Sequence, residues 1–287
     1  MKRVILALTL FGGLAAPALA QTEQVPPPRV SWSFAGPFGK FNEAQLQRGF
    51  KLYREVCSNC HSLNLLSFRN LAEAGGPGFT EAQVAQIASE YKIKDVDDSG
   101  QPTERPGRPA DHFPAPFANE AQAKAANGGT APPDMSTLAK ARTYARGFPW
   151  WVIDVFTQYQ EQGPDYIAAL LKGYKEAPKG FNLPQGGHYN EYFPGHTIAM
   201  PPPLQDGQVK YDDGSPEKLE QYSKDIAAFL EWASEPHMMA RKRIGFQVII
   251  FLIVLSGLLY FTKKKVWHEV EKPRELAHGQ DPKKTSI

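Results

Sequence analysis

The chain contains very little cysteine: Cys57 and Cys60 are the only two among 287 residues. A disulfide between residues so close in sequence restricts the unfolded chain very little, so this pair does not staple a fold of this size. An excess of charge of one sign is also lacking, since 32 Lys and Arg balance 30 Asp and Glu. This balance excludes the broadly basic surface that nucleic-acid binding requires. Stability must therefore come from a core or a cofactor.

Long hydrophobic runs are confined to the two ends. Residues 1–20 combine early cations, an apolar run and the small-residue ending Ala18-Leu19-Ala20, which predicts a signal peptide cleaved after Ala20. Its apolar part, Val4 to Leu14, is too short to cross a hydrocarbon core of about 30 Å. We therefore expect the mature chain to begin at Gln21 and to be exported.

The second run, Ile244 to Phe261, carries no charge and is bracketed by cations at 241–243 and 263–265. As a helix it extends about 27 Å, which is enough for one membrane span with Lys and Arg reaching toward each interface. It predicts a transmembrane anchor at 241–263, surrounded by lipid. Because both flanks are basic, the signal peptide rather than the positive-inside rule sets the orientation, and places residues 264–287 in the cytoplasm.

The exported domain, residues 21–240, is predicted to be mainly helical. Apolar residues at helical spacing begin after Asn42 and lead into Cys57. Ser215 followed by Pro216 predicts the start of a second long helix. Shorter helices are expected at Glu81–Tyr91, Ser136–Thr143, Trp151–Gln160 and Asp165–Tyr174.

Two segments predict long loops rather than strands. Residues 94–116 are charged and rich in proline, and residues 181–213 are rich in glycine and proline. Loops of this length without secondary structure are usually functional or disordered. The pattern predicts a helical domain whose long ordered loops enclose something.

Three kinds of site can use a C-x-x-C pair. A thiol–disulfide site expects a thioredoxin-like βαβ context, which the pattern does not predict, and a zinc site expects four ligands. With His61 directly after Cys60, the motif C-x-x-C-H is a signal for attachment of a c-type haem. We therefore predict one covalently bound haem c, with Cys57 and Cys60 as thioether attachments and His61 as an iron ligand.

The second axial position decides the chemistry. An open position permits gas or peroxide binding, whereas a protein ligand indicates electron transfer, and Met/His ligation raises the potential. Met200 precedes Pro201–Pro203, a stiff extended segment that can hold a thioether against iron with little loss of entropy. His196, on the same loop, is the alternative ligand and would give a lower potential. The other methionines of the mature chain suit packing or lie against the anchor: Met135, Met238 and Met239.

With these motifs placed, nearly all of the mature chain resembles the cytochrome c1 family, bacterial type, the haem subunits of ubiquinol–cytochrome c reductase. The resemblance rests on "YREVCSNCHSL", "APPDMSTLAKAR", "GPDYIAALLKGY", "HTIAMPPPL" and the lead into the anchor, "EWASEPHMMARKR". It implies a class I cytochrome c-like haem domain, mainly α with long loop insertions, followed by one C-terminal transmembrane helix.

The resemblance also implies roles for single residues. Cys57 and Cys60 would form the thioether bonds to the haem, His61 would be the proximal iron ligand and Met200 the distal one. Arg142 would pair with a haem propionate, Tyr166 would lie near the propionates, and Pro132 and Pro133 would wall the haem pocket. Two features depart from the family pattern: Met135 stands where leucine is usual, and residues 143–162 match only loosely.

The implied function is a one-electron relay in a respiratory or photosynthetic chain. The haem would accept electrons from a Rieske iron–sulfur protein and pass them to a soluble or membrane-anchored cytochrome c, while quinol is oxidised on cytochrome b. The complex would be dimeric, with the haem domain in the periplasm of a bacterial inner membrane. Acidic clusters at 95–98 and 212–213 are candidates for steering a basic cytochrome c. The alternatives are a free-standing anchored electron shuttle and a haem enzyme such as a peroxidase.

Overall fold

The computed structural model describes residues 24–144, 146–157 and 159–278. The predicted signal peptide, residues 1–20, and the end of the predicted cytoplasmic tail lie outside the described residues. The described residues form two compact units, the first ending at Pro236 and the second beginning at His237. They contain the following α-helices: α1 Glu43–Glu55, α2 Glu81–Ser89, α3 Glu120–Ala126, α4 Leu138–Ala141, α5 Trp150–Thr157, α6 Gln162–Lys172, α7 Leu219–Ser234 and α8 Met238–His278.

Helices α1 and α7 pack together at the centre of the first unit. Asn42 caps α1 by accepting a hydrogen bond from the Gln45 backbone N–H at 2.9 Å. The apolar stripe predicted for α1 is buried, and the rings of Phe50 and Tyr53 pack at a tilt against Phe229 of α7, with centroids 5.9 Å apart in each pair. This contact fixes the helix that leads directly into the C-x-x-C-H motif.

The predicted start of α7 is wrong by several residues. The helix begins at Leu219 rather than after Ser215, and the Leu219 backbone N–H donates to Asp206 Oδ1 at 2.7 Å. Ser215 instead donates its backbone N–H to Asp213 Oδ1 in a turn. The capping carboxylate comes from a distant loop, so a local search for a cap cannot find it.

The expectation of loops without strands is also wrong in two places. Strand β1 (Lys92–Val96) pairs antiparallel with β2 (Pro102–Pro106), and β3 (His188–Tyr189) pairs with β4 (Thr197–Ile198). Prolines are tolerated in β2 because they lie at its two ends, in a two-stranded sheet that consists only of edges. The remainder of both segments is loop, turn or isolated bridge.

The shorter helices are present with shifted ends. Helices α2, α4, α5 and α6 overlap their predicted ranges, whereas α3, capped by Asn119, was not predicted. The N-terminal part of α6 is held to the chain start by Asp165, which accepts bonds from Trp32 Nε1 at 2.8 Å and Val30 N–H at 3.0 Å. The prediction of a mainly helical domain is confirmed.

The described part of the second unit consists of one long helix, α8. Within α8, Met238–His268 is long and apolar enough to cross a membrane, and none of its most apolar window is buried. The helix extends beyond the predicted anchor, 241–263, in both directions and continues through the cationic residues 263–265. Its apolar, uncovered surface fits the predicted membrane anchor.

Candidate haem site

The C-x-x-C-H motif forms one compact turn at the end of α1. A 3₁₀ turn spans Cys57–Asn59, and the Cys57 carbonyl accepts bonds from the backbone N–H of Cys60 at 3.1 Å and of His61 at 2.9 Å. Cys57 is half-buried and Cys60 exposed, and neither is in a disulfide. Both thiols are therefore presented by the same short backbone segment that carries the imidazole.

The His61 ring is held in one tautomer. Its Nδ1 lies 2.8 Å from the Pro133 carbonyl oxygen, which can only accept, so Nδ1 carries the proton and Nε2 keeps its lone pair. Burial lowers the pKa of His61, although the Pro133 carbonyl and Asp134 partly oppose the fall, so the neutral ring is favoured. A neutral imidazole whose other nitrogen is fixed by a carbonyl fits an iron ligand.

Asp134 ties the segment after His61 to the proline segment. Its carboxylate accepts bonds from Ser62 Oγ at 2.7 Å, the Asn64 backbone N–H at 2.9 Å and the Ser136 backbone N–H at 2.8 Å. Burial raises the pKa of Asp134, but these hydrogen bonds outweigh it and hold the pKa below the usual value. The bonds lock Pro133 in place against His61. Sequence reasoning missed this residue, although an aspartate two residues before a serine is a known turn signal.

The residues assigned to the haem surroundings lie on the following elements. Pro132 is half-buried, Pro133 is exposed, and Arg142 ends α4 on the surface. Tyr166 is buried in α6. Burial raises the pKa of Tyr166 to about 12, and the nearby Arg142 guanidinium opposes part of that rise. Arg142 and Tyr166 are thus electrostatic neighbours.

Met200 is half-buried, and its backbone is anchored to the same region. Tyr174 Oη donates to the Met200 carbonyl at 3.1 Å, and Tyr174 in turn is close enough to Tyr166 for the two to interact electrostatically. Tyr174 was not predicted as a site residue. Arg142, Tyr166 and Tyr174 are therefore successive neighbours, and Tyr174 connects them to the Met200 loop.

His196 takes part in the architecture of that loop. Its backbone has a left-handed φ of 58°, its Nδ1 lies 3.2 Å from the Asn190 carbonyl oxygen, and its ring stacks on Tyr189. Asn190 is fully buried and donates through Nδ2 to the Leu170 carbonyl at 2.8 Å. Both residues thus fasten the Met200 loop to α6 and to itself.

Helix α4 connects the His61 side of the site to the α6 side. It follows the Pro132–Ser136 segment directly, and it packs so closely on α6 that a Cβ at Gly163 would stand 1.7 Å from the Ala139 carbonyl oxygen. This approach requires glycine at position 163. The two halves of the site are joined by backbone contact rather than by long side chains.

Three of the five carboxylates in the acidic clusters considered for steering are paired with cations. Asp95 accepts from Arg105 at 2.5 Å, Asp212 from Lys51 at 2.8 Å and Asp213 from Arg48 at 2.7 Å. A carboxylate that is paired with a cation contributes less negative potential at the protein surface than an unpaired one. Their contribution to docking a basic partner is correspondingly reduced.

A helical domain that presents two cysteines and a tautomer-fixed histidine on one turn, followed by an apolar anchor helix, defines a membrane-anchored c-type cytochrome. The family model for "Cytochrome C1 family" matches residues 32–270. Cytochrome c1 of Blastochloris viridis is 50% identical over 274 residues, covering 94% of this chain and 97% of that protein. The chain belongs to the cytochrome c1 family.

Other relatives extend the comparison. Cytochrome b/c1 of Bradyrhizobium diazoefficiens is 61% identical over 266 residues, 92% of this chain, but the chain spans only 39% of that protein's length. The mitochondrial cytochrome c1 haem protein of Kluyveromyces lactis is 41% identical over 259 residues, covering 90% of this chain and 81% of its own length. Family membership confirms the covalently bound c-type haem and makes the chain a haem-containing electron-transfer subunit of the bc1 complex.

Proposed function

We propose that this chain relays single electrons from a Rieske iron–sulfur protein to a cytochrome c, with its haem c held by Cys57, Cys60, His61 and Met200. The observation that carries the proposal is the hydrogen bond of His61 Nδ1 to the Pro133 carbonyl at 2.8 Å, since it leaves Nε2 as the iron-binding atom. The haem supplies a one-electron iron couple when it is bound. The chain's own residues orient it and exclude water.

Two features support Met200 as the distal ligand. Its backbone is fixed by Tyr174 on one side, at 3.1 Å, and by the prolines that follow it on the other, so the thioether is held with little loss of entropy. His196 uses its Nδ1 and its ring face within the loop. A thioether is the weaker donor and favours ferrous iron, which suits an acceptor at the end of a quinol-driven chain.

The surroundings of the haem are proposed as follows. Arg142 pairs with a propionate, because a guanidinium matches a carboxylate in geometry and charge. Tyr166, its electrostatic neighbour on α6, lies near the propionates. Pro132 and Pro133 form a wall of the haem pocket that offers no backbone N–H group to water. Pro133 also carries the carbonyl that orients His61.

The proposed assembly and topology follow from the family. Cytochrome b and the Rieske protein are the partners within the complex, and the relative named cytochrome b/c1 supports the first of these. The complex is a dimer in membrane lipid. Residues 1–20 form the signal peptide, 21–240 the periplasmic haem domain, 241–263 the anchor in the bacterial inner membrane, and 264–287 the cytoplasmic tail.

The test is purification in mild detergent followed by quinol oxidation. We expect the chain to emerge with b-type haem, and added quinol to reduce its c-type haem before soluble cytochrome c is reduced. A chain that always emerges alone would leave a free-standing shuttle as the better explanation. Rapid carbon monoxide binding to the reduced haem would instead indicate an open axial position and a haem enzyme.

A further inference from the structure

Asp165 is a carboxylate in the first turn of α6 with no exposed surface. Its Oδ1 accepts hydrogen bonds from Trp32 Nε1 at 2.8 Å and from the Val30 backbone N–H at 3.0 Å. Its Oδ2 accepts one from Tyr159 Oη at 2.6 Å. Donors that reach both oxygens stabilise the charged form of a carboxylate.

The donors to Asp165 are all neutral, so they stabilise its charge without cancelling it. Among the described residues, no Lys or Arg forms an ion pair with this carboxylate. Two guanidiniums, those of Arg29 and Arg146, lie over the Tyr159 ring at 4.0 and 5.5 Å from its centre. Both of them pair with Asp154 instead. The negative charge of Asp165 is therefore buried without a cation of its own.

Two effects on the pKa of Asp165 oppose each other. Burial raises this pKa above its usual value, and Glu161, a second buried carboxyl group one turn earlier, raises it further. The hydrogen bonds from Tyr159, Trp32 and Val30 lower it. Removing one of these donors must therefore raise the pKa of Asp165 and move its protonation to a higher pH.

Asp165 lies on the turn of α6 that meets the candidate haem site. The next residue, Tyr166, is buried and is the electrostatic neighbour of Arg142. Gly163, on the same turn, is the position whose Cβ would stand 1.7 Å from the Ala139 carbonyl oxygen of α4. A fixed charge on this turn acts on the site through protein rather than through water, so its effect is weakly screened.

We propose that Asp165 remains ionised at neutral pH and that its charge lowers the reduction potential of the haem. Reduction removes one positive charge from the iron, so a fixed negative charge nearby stabilises the oxidised form relative to the reduced form. This effect opposes that of the Met200 thioether, which raises the potential. The proposal rests on the haem placement of the proposed function, with Tyr166 near the propionates.

The experiment is a potentiometric titration of the c-type haem in the detergent-solubilised complex at neutral pH. Asp165→Asn removes the charge but keeps an oxygen that can accept from Trp32 and Val30. We expect it to raise the ratio of reduced to oxidised haem at a fixed applied potential by roughly threefold to tenfold, where tenfold corresponds to about 59 mV. Glu220→Gln is the control and should leave the ratio unchanged, because the Glu220 side chain on α7 is 70% exposed and its charge is screened by water.

Tyr159→Phe is a second test that keeps both the charge of Asp165 and the ring over which Arg29 lies. Losing the Oη donor raises the pKa of Asp165. At alkaline pH the haem potential of this variant should therefore equal that of the wild type. As pH falls through the raised pKa, the potential should rise above the wild-type value, because protonation neutralises the charge that lowered it.

A potential in Asp165→Asn equal to or below that of the wild type would overturn the proposal. A Tyr159→Phe potential that follows the wild type at every pH would also overturn it, and this titration decides alone if Asp165→Asn does not retain haem. The methionine–iron charge-transfer band reports the ligands separately. Its absence from the wild type would contradict the proposed function, whereas the difference in potential tests the role of Asp165 in either case.

Discussion

At the turn that carries Cys57, Cys60 and His61, the chemistry of the ligand depends on two atoms from another segment. The Pro133 carbonyl sets which nitrogen of His61 is protonated, and the Asp134 carboxylate holds that carbonyl in position. Both belong to a segment some seventy residues further along the chain. The haem motif is therefore local in sequence, whereas its orientation depends on long-range contacts.

Replacing Asp134 by alanine tests this dependence. The variant loses three hydrogen bonds to a carboxylate and leaves their donors without it, so we expect the free energy of unfolding to fall by about 2 kcal/mol or more. Urea unfolding of the haem-loaded chain, followed by circular dichroism, measures the loss. Asp98→Ala, at an exposed loop aspartate, is the control and should leave the midpoint unchanged. Equal midpoints for both variants would show that Asp134 has no such role.

Replacing Tyr174 by phenylalanine tests how Met200 is held. Loss of the bond to the Met200 carbonyl weakens the loop by about 1 kcal/mol, and carbon monoxide then competes with the thioether roughly fivefold better. The apparent affinity of the reduced protein for carbon monoxide is the readout. Tyr189→Phe removes a hydroxyl from the same loop but keeps the Tyr174 bond, so it should bind carbon monoxide like the wild type. If the two variants behave alike, the contact does not position Met200.

At the scale of elements, the crossing of α1 and α7 depends on Gly49. A Cβ at this position would stand 2.3 Å from the Asp225 carbonyl oxygen and 2.5 Å from Phe229 Cβ. In an open helix, Gly→Ala stabilises by about 1 kcal/mol, but here overpacking of about 1–3 kcal/mol outweighs that gain. We expect Gly49→Ala to lower the urea midpoint. Gly147→Ala, at a loop position where nothing lies within 4 Å, is the control and should not lower it.

The contact of α4 with α7 predicts a dependence of stability on pH. Glu231 is buried in α7 beside Lys140, with Glu235 and Glu161 nearby, and its Oε2 has no hydrogen-bond partner among the described residues. Burial raises the pKa of Glu231 above its usual value near 4.5, although Lys140 opposes the rise. The folded state then binds more protons than the unfolded state, so the stabilisation from this group is lost as pH rises through the raised pKa.

The measurement is the urea midpoint of wild type and Glu231→Gln across the acidic to neutral range. The wild type should lose stability relative to the variant as pH rises, because glutamine does not ionise. Glu220→Gln, at an exposed position on the same helix, should not reproduce this difference. A constant difference between wild type and Glu231→Gln at all pH values would contradict the raised pKa.

Elements with a local signal could be predicted from the sequence. The apolar stripe that begins after Asn42 placed α1 closely, and eighteen uncharged residues placed the anchor. The start of α7 could not be predicted, because its cap comes from Asp206 on a distant loop. The β1–β2 hairpin was missed since its charges and prolines are loop signals, and only the paired register makes them strands.

The candidate site divides in the same way. Cys57, Cys60 and His61 form a motif within a few consecutive residues, so the sequence alone reveals it. The prolines after Met200 likewise indicate a rigid loop. Asp134 and Tyr174 act through contacts with partners far away in sequence, which the residues alone do not reveal. Arg142 and Tyr166 entered only through family resemblance, and the structure adds that they are electrostatic neighbours.

At the scale of the whole molecule, the two units imply separable tasks. The first unit, ending at Pro236, contains the buried core and the haem motif, and the second contains the apolar helix. We expect a chain ending at Arg243 to keep its haem spectrum and to be released from the membrane by an alkaline carbonate wash, which removes proteins that do not span the bilayer. The full chain should require detergent under the same conditions, because it keeps the apolar span. Loss of haem from the shortened chain would show that the units are not independent.

The central claim is that His61 and Met200 hold the haem iron between them. The most direct measurement is the methionine–iron charge-transfer band in the visible spectrum of the oxidised chain. We predict that the band is present in the wild type, persists in His196→Gln and disappears in Met200→Leu. A band that survives in Met200→Leu, or that is absent from the wild type, would contradict the account.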